Sequence, residues 1–446
     1  MVDVNLEEID THGVSFLDIA EHFSSHRQMA LLETRGTGGY SFVTFRPFLT
    51  GGFRVVEEAL NTWRFRNEPA EHRPPFLGGA IGYFSYDFGR RLEKIPDRAV
   101  DELGLPDCDF RFYNAVLILS HDGRLYLSCF DPGVPGSVTR DEVLSELAQV
   151  RQGSYASSRI TRFATAVRAG CPRDLYLDAV RRIQECILAG DVYQVNLTQR
   201  FYADLGEASA WELYKRLTAI NPAPFAAYLK FDETSILSAS PERFLRVQGQ
   251  NVETCPIKGT VRRGTTAQDD QAQRQWLLAS AKNRAELAMI VDLMRNDLGR
   301  VCRPGSIRVQ DSPRLESFAS LHHLVATVVG DLEPDRSVLD LICASFPGGS
   351  ITGAPKIRAM EIIEELEPVW RGVFMGAIGY LGFNGVSDLN IAIRTMLVQN
   401  GRVSIQVGAG IVADSIPEEE YEECLLKGRL LFEALEDLRT AADERQ

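Results

Sequence analysis

Short stretches of alternating apolar and polar residues run through the chain and predict many β-strands. Two of them, residues 76–89 and 115–131, fall early in the chain, and Asp122-Gly123 stands where a tight hairpin turn belongs. Further strands are predicted at residues 192–201, 226–231, 235–240, 242–260, 379–396 and 396–410. The last two stretches each carry Asn-Gly, which is typical of a two-residue hairpin turn.

Helical periodicity occupies four blocks between and after these strands. The blocks cover residues 174–190, about 271–298, 354–366 and 415–438. Because runs of hairpins are interrupted by helical blocks, without a regular βαβ alternation, the pattern predicts an α+β fold with a mostly antiparallel sheet. The polar residues 151–163 have no clear apolar periodicity, and we expect a linker there.

Composition narrows the class of protein. The 446 residues, 45% hydrophobic and 24% charged, suffice for two or three domains, or for one large composite domain without disulfide or metal support. The net charge of −13 repels a polyphosphate backbone, so nucleic acid is not an expected partner. A small anionic substrate is still compatible with this charge, because local cations or a metal can outweigh the global field.

The eight cysteines are scattered without a CxxC pair, which indicates reduced thiols rather than a disulfide framework or a zinc site. The first residues have neither the basic segment nor the apolar segment of a secretion signal. No stretch reaches the roughly 18 apolar residues of a membrane span. We therefore expect a cytoplasmic protein without a membrane partner.

The predicted hairpin 242–260 carries an acid and an amine, Glu242 and Lys258, at equal distances from Gln250. A three-residue loop centred on Gln250 would place them opposite each other, with Cβ atoms roughly 5 Å apart, whereas a two-residue turn would place them on opposite faces. The two can form a solvated ion pair. Prolines on either side interrupt regular pairing, however, and a buried acid beside a buried amine could supply a proton donor and a nucleophile.

The glycine-rich segment 346–368 superficially resembles a phosphate-binding loop. Its Gly349-x3-Gly353-x2-Lys356 spacing differs from that motif, and Ile357 stands where serine or threonine would bind magnesium, so nucleotide binding is not predicted. The glycines can either present backbone N–H groups to an anion at a helix N-terminus or form a purely structural turn.

Three charged residues of the last predicted helix, Glu420, Glu423 and Lys427, are spaced three and four apart and therefore share one face. They can form an ordinary i,i+4 ion pair with a spare acid. Alternatively, the carboxylates can bind Mg²⁺ and leave positions open for substrate oxygens, with Glu286 of an earlier helix as a second contributor.

Further candidates lie among apolar neighbours. His323, which follows His322, can be a satisfied core histidine or a catalyst. Arg394 lies on a predicted strand, where a buried guanidinium requires an anion from the protein or from a ligand. Residues 408–410, Gly-Ala-Gly, end a strand and would let a ligand approach the backbone closely.

Several long motifs resemble those of the chorismate-utilising enzymes, a family that includes anthranilate synthase component I, aminodeoxychorismate synthase component I, and the isochorismate and salicylate synthases. The motifs are SPERF (240–244), PIKGT (256–260), AELAMIVDLMRNDLGRV (285–301), LHHLV (321–325), FPGGSITGAPKIRAMEIIEELEP (346–368), GAIGYLGF (376–383), IAIRT (391–395) and GAGIVADS (408–415). The resemblance implies a large two-layer antiparallel β-sheet sandwich flanked by helices. An N-terminal region (1–150) and a chorismate-binding catalytic region (165–440) would interlock in it as one composite unit.

The resemblance also implies the residues of the site. The metal carboxylates fall on Glu286 and Glu423, with Glu420 close by, and the implied cofactor is Mg²⁺. The substrate contacts fall on Gly259, Thr260, Thr352, Arg394, Gly408, Ala409, Gly410 and Lys427. The catalytic residues are Lys258, Glu242 and, as a neighbour of Glu242, His323.

Two positions select a branch of the family by resemblance. Anthranilate synthases usually have alanine in place of Lys258, and isochorismate and salicylate synthases have a lysine, the base for water, in place of Gln194. The present combination resembles the aminodeoxychorismate branch, in which Glu242 protonates the departing C4 hydroxyl while Lys258 attacks C2, and ammonia then enters at C4. An anthranilate synthase component I is the alternative, and a non-catalytic chorismate-binding subunit is a third hypothesis.

The same resemblance implies a separate glutamine amidotransferase as the source of ammonia, and a product, 4-amino-4-deoxychorismate, that serves 4-aminobenzoate and folate synthesis. It also aligns Thr34, Tyr40, Pro224 and Phe225 with the tryptophan pocket of the family. Thr34 replaces the usual serine, and Phe374 stands where anthranilate synthases have tyrosine. Feedback inhibition by tryptophan is therefore not predicted.

Overall fold

The strands account for most of the architecture of the computed structural model, which describes residues 1–11, 13–34, 39–66, 73–151, 166–317 and 321–443. In these ranges lie β1 (Asn5–Ile9), β2 (Gln28–Glu33), β3 (Ser41–Phe45), β4 (Leu49–Gly51), β5 (Gly79–Phe84), β6 (Cys108–Tyr113), β7 (Ala115–Leu119), β8 (Leu125–Cys129), β9 (Arg168–Ala169), β10 (Gln194–Asp204), β11 (Phe225–Phe231), β12 (Thr234–Ser240), β13 (Arg243–Gln248), β14 (Asn251–Cys255), β15 (Ile257–Arg262), β16 (Arg308–Ser317), β17 (Leu321–Asp331), β18 (Gly353–Ala354), β19 (Ala377–Gly382), β20 (Val386–Ile391), β21 (Thr395–Gln399) and β22 (Arg402–Ile411).

Helices separate and flank these strands. They are α1 (Phe16–Phe23), α2 (Phe53–Thr62), α3 (Gly89–Leu92), α4 (Arg140–Arg151), α5 (Arg173–Leu188), α6 (Ala210–Ile220), α7 (Ala267–Ala279), α8 (Ala281–Gly299), α9 (Val338–Ser345), α10 (Lys356–Leu366) and α11 (Pro417–Asp443). Two short 3₁₀ turns lie at Tyr86–Phe88 and Gly349–Ile351.

The strands form two antiparallel sheets within the described ranges. The first has the order β1-β8-β7-β3-β2-β11-β12-β21-β22-β10-β18, with β9 also beside β10. The second has the order β15-β17-β14-β13-β20-β19-β5-β6-β4. In the second sheet, β17 pairs on one side with β14 and β15, end to end, and on the other side with β16. The predicted α+β class with antiparallel sheets is therefore confirmed.

Two hydrophobic cores hold the layers together. One lies between the sheets, where Phe42 and Leu229 of the first sheet join Phe84 and Tyr380 of the second in one buried cluster. The other lies on the outer face of the first sheet, beneath α1, α4, α5, α6, α10 and α11. On the second sheet, α8 packs against β15 and β17. The sandwich with flanking helices that the resemblance implies is the observed architecture.

Both sheets contain strands from the two predicted regions. In the second sheet, β5 pairs with β19 from Gly79↔Gly382 to Phe84↔Ala377. In the first sheet, β2 pairs with β11. Separating the two regions would therefore break a ladder in each sheet. The boundaries at 1–150 and 165–440 stay a prediction.

The helix predicted over residues 271–298 is wrong in one respect, because two helices occupy this segment. Ser280 has extended backbone angles (φ −61°, ψ 107°) and separates α7 from α8, and its hydroxyl accepts the Asn283 N–H at 3.3 Å as an N-cap. Apolar periodicity continues across the break, so the pattern did not show it. The predicted linker lies outside the described residues except for Arg151, which ends α4.

Among the described residues, no helix combines the length and the apolar composition that crossing a membrane requires.

Candidate active site

The hairpin formed by β13 and β14 brings Glu242 and Lys258 together in a way that differs from the symmetric loop considered above. Gln248 pairs with Asn251, so the turn has two residues, and the three-residue loop is wrong. A bulge follows, after which Lys258 pairs with Leu324 of β17 and not with Glu242. The acid and the amine still interact electrostatically, because the bulge and the switch of partner strand turn both toward one site.

Glu242 is only 5% exposed, and this burial favours the protonated form of its carboxyl. Burial raises the pKa of its carboxyl to about 7, against the opposing effects of the Ser350 hydroxyl, the Lys258 amine and the Ile257 N–H. A group with this pKa holds a proton for a large fraction of the time at neutral pH, and its conjugate base is hydrogen-bonded. Glu242 can therefore act as a general acid.

The Lys258 amine lies among acids. Burial lowers its pKa, while the carboxylates of Glu286, Glu242 and Glu423 oppose this effect and the Lys427 amine adds to it. A lowered pKa increases the neutral, nucleophilic fraction of the amine. Because all four charged neighbours act on one atom, the structure brings the predicted catalytic pair and the predicted metal carboxylates together.

Gly259 is required by the backbone at this point. Its φ of +76° lies in the left-handed region, at an irregularity between Lys258 and Thr260 in the pairing with β17. A Cβ atom there would lie 2.9 Å from Cγ of Asn283, at the start of α8. Glycine thus allows α8 to approach the strand that carries Lys258.

His323 is a buried, neutral imidazole, 2% exposed. Its Nδ1 lies 2.8 Å from the Thr260 hydroxyl. Burial lowers its pKa to about 3, assisted by the positive charge of Arg394 and by His322, and a hydrogen bond with the Gly259 backbone opposes the shift. His323 can donate or accept a hydrogen bond at neutral pH, but it carries no charge there.

Arg394 is the cation of the site that lacks an acid. It has a positive φ of 51°, and its Nη1 donates a long hydrogen bond of 3.4 Å to Asn221 Oδ1. Burial lowers the pKa of the guanidinium, and no carboxylate among the described residues offsets that cost. A strained, desolvated guanidinium without a counter-ion is suited to bind an anionic ligand.

The Gly-Ala-Gly segment of β22 presents two different faces. A Cβ atom on Gly408 would lie 2.2 Å from the Leu197 carbonyl oxygen, and one on Gly410 would lie 2.9 Å from Gln194 Nε2. The side chain of Ala409 instead packs into the core beneath the helices. The glycines therefore lie on the face that carries Gln194, Asn196 and Thr198 of β10, and Ala409 can contribute only its backbone to that face.

Gln194 is a buried polar group without a partner. It is 1% exposed, and neither its Oε1 nor its Nε2 has a hydrogen-bond partner among the described residues. Buried amides are nearly always hydrogen-bonded, so the polar atoms of this side chain are available to a water or a bound molecule beside Gly410. The sequence had singled it out only as a marker of the branch.

The loop of the glycine-rich motif connects these parts. Thr352 is fully buried, its hydroxyl donates to the Gly348 carbonyl at 3.2 Å, and its own carbonyl accepts the Asn196 N–H at 2.8 Å. The Asn196 amide donates to the Ser350 carbonyl at 3.2 Å, and the Ser350 hydroxyl bonds Glu242. Sequence reasoning missed Asn196 and Ser350 as site residues, because only their contacts distinguish them from other polar residues of these motifs.

The predicted metal carboxylates lie on two helices, and the two on α11 already have partners. Lys427 Nζ lies 2.7 Å from Glu423 Oε1, and the Ser415 hydroxyl donates to Glu420 Oε1 at 2.6 Å. Burial raises the pKa of Glu420; it has the same tendency in Glu423, but the lysines, chiefly Lys427, bring the pKa of Glu423 below its usual value.

Within the described part of the chain, no group of three or more His, Cys, Asp or Glu residues is arranged to hold a metal. Mg²⁺, however, commonly takes only one or two carboxylates and fills its other positions with water and substrate oxygens. Glu286 and Glu423, which both act on the Lys258 amine, provide such a pair of hard oxygen ligands. The residues present therefore fit this ion.

A separate cavity of about 890 Å³ gathers the residues aligned with a tryptophan pocket. Thr34, Tyr40, Pro224 and Phe225 all line it. Arg243 also lines it and stacks over the Phe225 ring at 5.0 Å. Binding of tryptophan in this cavity stays untested.

The family of the chain follows from comparison with known proteins. The chain belongs to the chorismate-binding enzymes, whose family model matches residues 50–433. This finding confirms the resemblance seen in the motifs and defines the protein as a member of a chorismate-utilising enzyme family.

More specific similarities point to two activities. The chain is 42% identical over 382 residues to aminodeoxychorismate synthase component 1 of Klebsiella aerogenes, which covers 86% of this chain and 82% of that protein. It is 38% identical over 387 residues to anthranilate synthase component 1 of Acetivibrio thermocellus, covering 84% and 78%. Its fold matches the crystal structure of anthranilate synthase component I from Streptococcus pneumoniae with a TM-score of 0.77 and 30% identity, over 90% and 93% of the two chains.

Proposed function

We propose that the protein aminates chorismate to 4-amino-4-deoxychorismate. The observation that carries this proposal is the pair formed by Glu242, an acid with a pKa of about 7, and Lys258, an amine whose pKa is lowered by burial. An ion pair on a solvated surface would have neither property. Similarity to aminodeoxychorismate synthase component 1 of several bacteria supports the assignment.

Glu242 and Lys258 divide the chemistry between them. Glu242 gives its proton to the C4 oxygen, which leaves as water while the neutral Lys258 amine attacks C2 and the two conjugated ring double bonds shift. Ammonia then bonds to C4, the two double bonds shift back, and the C2–N bond to Lys258 breaks. The incoming ammonia loses a proton, which restores the acid form of Glu242. The two steps replace one hydroxyl by one amino group without any change of oxidation state.

Other groups orient the dianionic substrate. Among the described residues, Arg394 is a desolvated cation whose burial no carboxylate offsets, and Gly410 lies beside the buried Gln194 amide. Lys427 adds a second positive charge near Lys258. Neutral His323 and the Thr260 hydroxyl, 2.8 Å apart, can hydrogen-bond to substrate oxygens without adding charge.

Glu286 and Glu423 would hold Mg²⁺, with Glu420 in support. When bound, the ion would neutralise carboxylate charge of the substrate and fix its position. Without it, two substrate carboxylates would face three glutamates of the protein at short range.

The source of ammonia is a second part of the proposal. Relatives of this chain are named as component 1 of their synthases, which accords with a separate partner protein. We infer a glutamine amidotransferase subunit as that partner, a role in 4-aminobenzoate and folate synthesis, and a location in the cytoplasm.

The test is chromatographic identification of the product from chorismate, MgCl₂ and an excess of an ammonium salt at near-neutral pH, where Glu242 is still partly protonated. 4-Amino-4-deoxychorismate as the main product supports the proposal. Anthranilate, recognised by its fluorescence, would instead establish the second candidate, an anthranilate synthase component 1, which the similarity to such proteins favours. Binding of chorismate without turnover would indicate a non-catalytic subunit, which the complete set of charged site residues argues against.

A further inference from the structure

An ion pair joins the helix that carries Glu286 to the turn before the helix that carries Glu420 and Glu423. Lys282 lies in the first turn of α8, and Asp414 lies in the turn before α11. Lys282 Nζ is 3.6 Å from Asp414 Oδ2, and the two side chains are 59% and 73% exposed. An exposed pair at this distance is weak, so Lys282 can leave Asp414 at little cost.

Both members of the pair adjoin the carboxylates. Lys282 precedes Glu286 by one helical turn, which puts the two side chains on one face of α8. Asp414 precedes Ser415, whose hydroxyl is bonded to Glu420. Lys282 is also close enough for its charge to act on Glu420 and Glu423. Its amine therefore has two alternative sets of anions within reach, Asp414 on one side and the glutamates on the other.

Lys282 is one of three lysines near the proposed metal carboxylates. Three glutamates, Glu286, Glu420 and Glu423, stand beside three lysines, Lys258, Lys282 and Lys427. Lys258 and Lys427 have roles toward the substrate in the proposed function. The function proposed above gives no role to Lys282, and a flexible four-carbon stem allows its ammonium to move between partners.

We propose that Lys282 is a displaceable counter-ion of the metal carboxylates, and that Asp414 holds its ammonium away from them when Mg²⁺ binds. In the metal-free protein the ammonium partly neutralises Glu420 and Glu423. On metal binding the same ammonium moves fully to Asp414, which removes a repulsive charge from the neighbourhood of the cation. This inference rests on the Mg²⁺ site of the proposed function.

The test is a double-mutant cycle read by calorimetric titration of Mg²⁺ into the protein, independent of turnover. Lys282→Met keeps the aliphatic stem and removes the competing charge, so Mg²⁺ should bind roughly three- to tenfold more tightly. Asp414→Asn releases Lys282 toward the glutamates, so binding should weaken by a similar factor. In the double variant the effect of Asp414→Asn should disappear, because no lysine is left to be held.

Whether the effects of the two substitutions are additive distinguishes a displaceable Lys282 from simpler roles of the pair. If Asp414→Asn weakens Mg²⁺ binding equally with and without Lys282, Asp414 acts only through its own charge, and the inference is wrong. If both single variants weaken binding, the pair is merely a structural latch, and the inference is wrong again. Lys215→Met is the matched control, because it removes the same charge from an ion pair with Glu21 (3.0 Å) that joins α6 to α1. It should leave Mg²⁺ affinity unchanged.

Failure of the proposed function gives a different result. If the unaltered protein binds no Mg²⁺, with or without chorismate, both the proposed metal site and this inference are wrong. If the unaltered protein binds Mg²⁺ but the effects of the two substitutions are additive, only the proposed role of Lys282 is wrong.

Discussion

Single residues of the site combine features that the sequence shows with others that depend on neighbours far away in the chain. The motif around Lys258 indicated a reactive amine, but its lowered pKa comes from burial, with the Lys427 amine adding to the effect and the acids on α8 and α11 opposing it. The relation to Glu242 was expected from a symmetric hairpin. It arises instead from a bulge after a two-residue turn, and neither feature has a distinctive residue pattern.

Replacement of Lys258 tests its covalent role. Lys258→Ala should reduce formation of 4-amino-4-deoxychorismate by several orders of magnitude or divert the product toward anthranilate, because no amine remains to attack C2. Product chromatography with ammonium as nitrogen source measures this. Lys94→Ala, a change of the same type outside the site, should leave the product distribution unchanged. A Lys258→Ala protein with the native rate and product would remove the covalent role.

Glu242 should set the alkaline limb of the pH profile. Its carboxyl must be protonated to act, and its pKa is about 7, so kcat/KM for chorismate should fall as the pH rises through about 7. Ser350→Ala removes a hydrogen bond that stabilises the carboxylate, which raises the pKa further and moves the limb to higher pH. Ser350→Thr keeps a hydroxyl and should leave the limb in place. Movement to lower pH in Ser350→Ala would contradict this assignment.

At the scale of elements, periodicity predicted most helices and hairpins, since each depends on a local pattern of core contacts. It could not predict the break at Ser280, where the chain bends without losing its apolar spacing. It also could not predict that the Lys258 strand leaves β13 and continues against β17, because strand exchange depends on partners about 65 residues away in the chain. The helices α8 and α11 carry the charged residues of the site, and only their packing shows which carboxylates meet.

The helix α11 should decide metal dependence. Glu423→Gln removes one of the two carboxylates proposed to hold Mg²⁺ beside the Lys258 amine, so activity at saturating Mg²⁺ should fall at least a hundredfold. The measurement is activity as a function of Mg²⁺ concentration. Glu422→Gln is the matched control, because Glu422 is the preceding residue of α11 and is exposed. This variant should behave as the native protein. Native activity of Glu423→Gln in the presence of a chelator would refute the metal site.

At the scale of the whole molecule, buried polar contacts as well as apolar packing fix the first sheet to the segments that surround the site. Arg371, 2% exposed, donates to both carboxylate oxygens of Glu367 at 2.6 and 2.9 Å and to the Asn196 carbonyl at 2.6 Å. It also bonds the Ile351 carbonyl at 3.3 Å, next to Thr352 of the site loop. Nothing in the local sequence marks this arginine, because its partners come from three separate segments.

Removal of this arginine should destabilise the fold. Arg371→Met leaves the Glu367 carboxylate buried without its ion-pair partner, and we expect a loss of about 3–5 kcal/mol in the free energy of unfolding. Urea denaturation followed by fluorescence measures the loss. Arg54→Met breaks an exposed pair with Glu58 (3.0 Å) on α2 and should cost less than about 1 kcal/mol. Equal losses for the two variants would show that burial of the Arg371 pair does not matter.

The most direct measurement of the central claim is the mass of the intact protein after incubation with chorismate and Mg²⁺ in the absence of ammonia. With no nitrogen nucleophile to complete the reaction, we expect an adduct with the mass of chorismate minus water, which peptide mapping assigns to Lys258. The adduct should disappear on addition of an ammonium salt, as 4-amino-4-deoxychorismate forms. Product formation with no adduct on Lys258, or an unmodified protein that releases anthranilate once ammonium is supplied, would contradict the account.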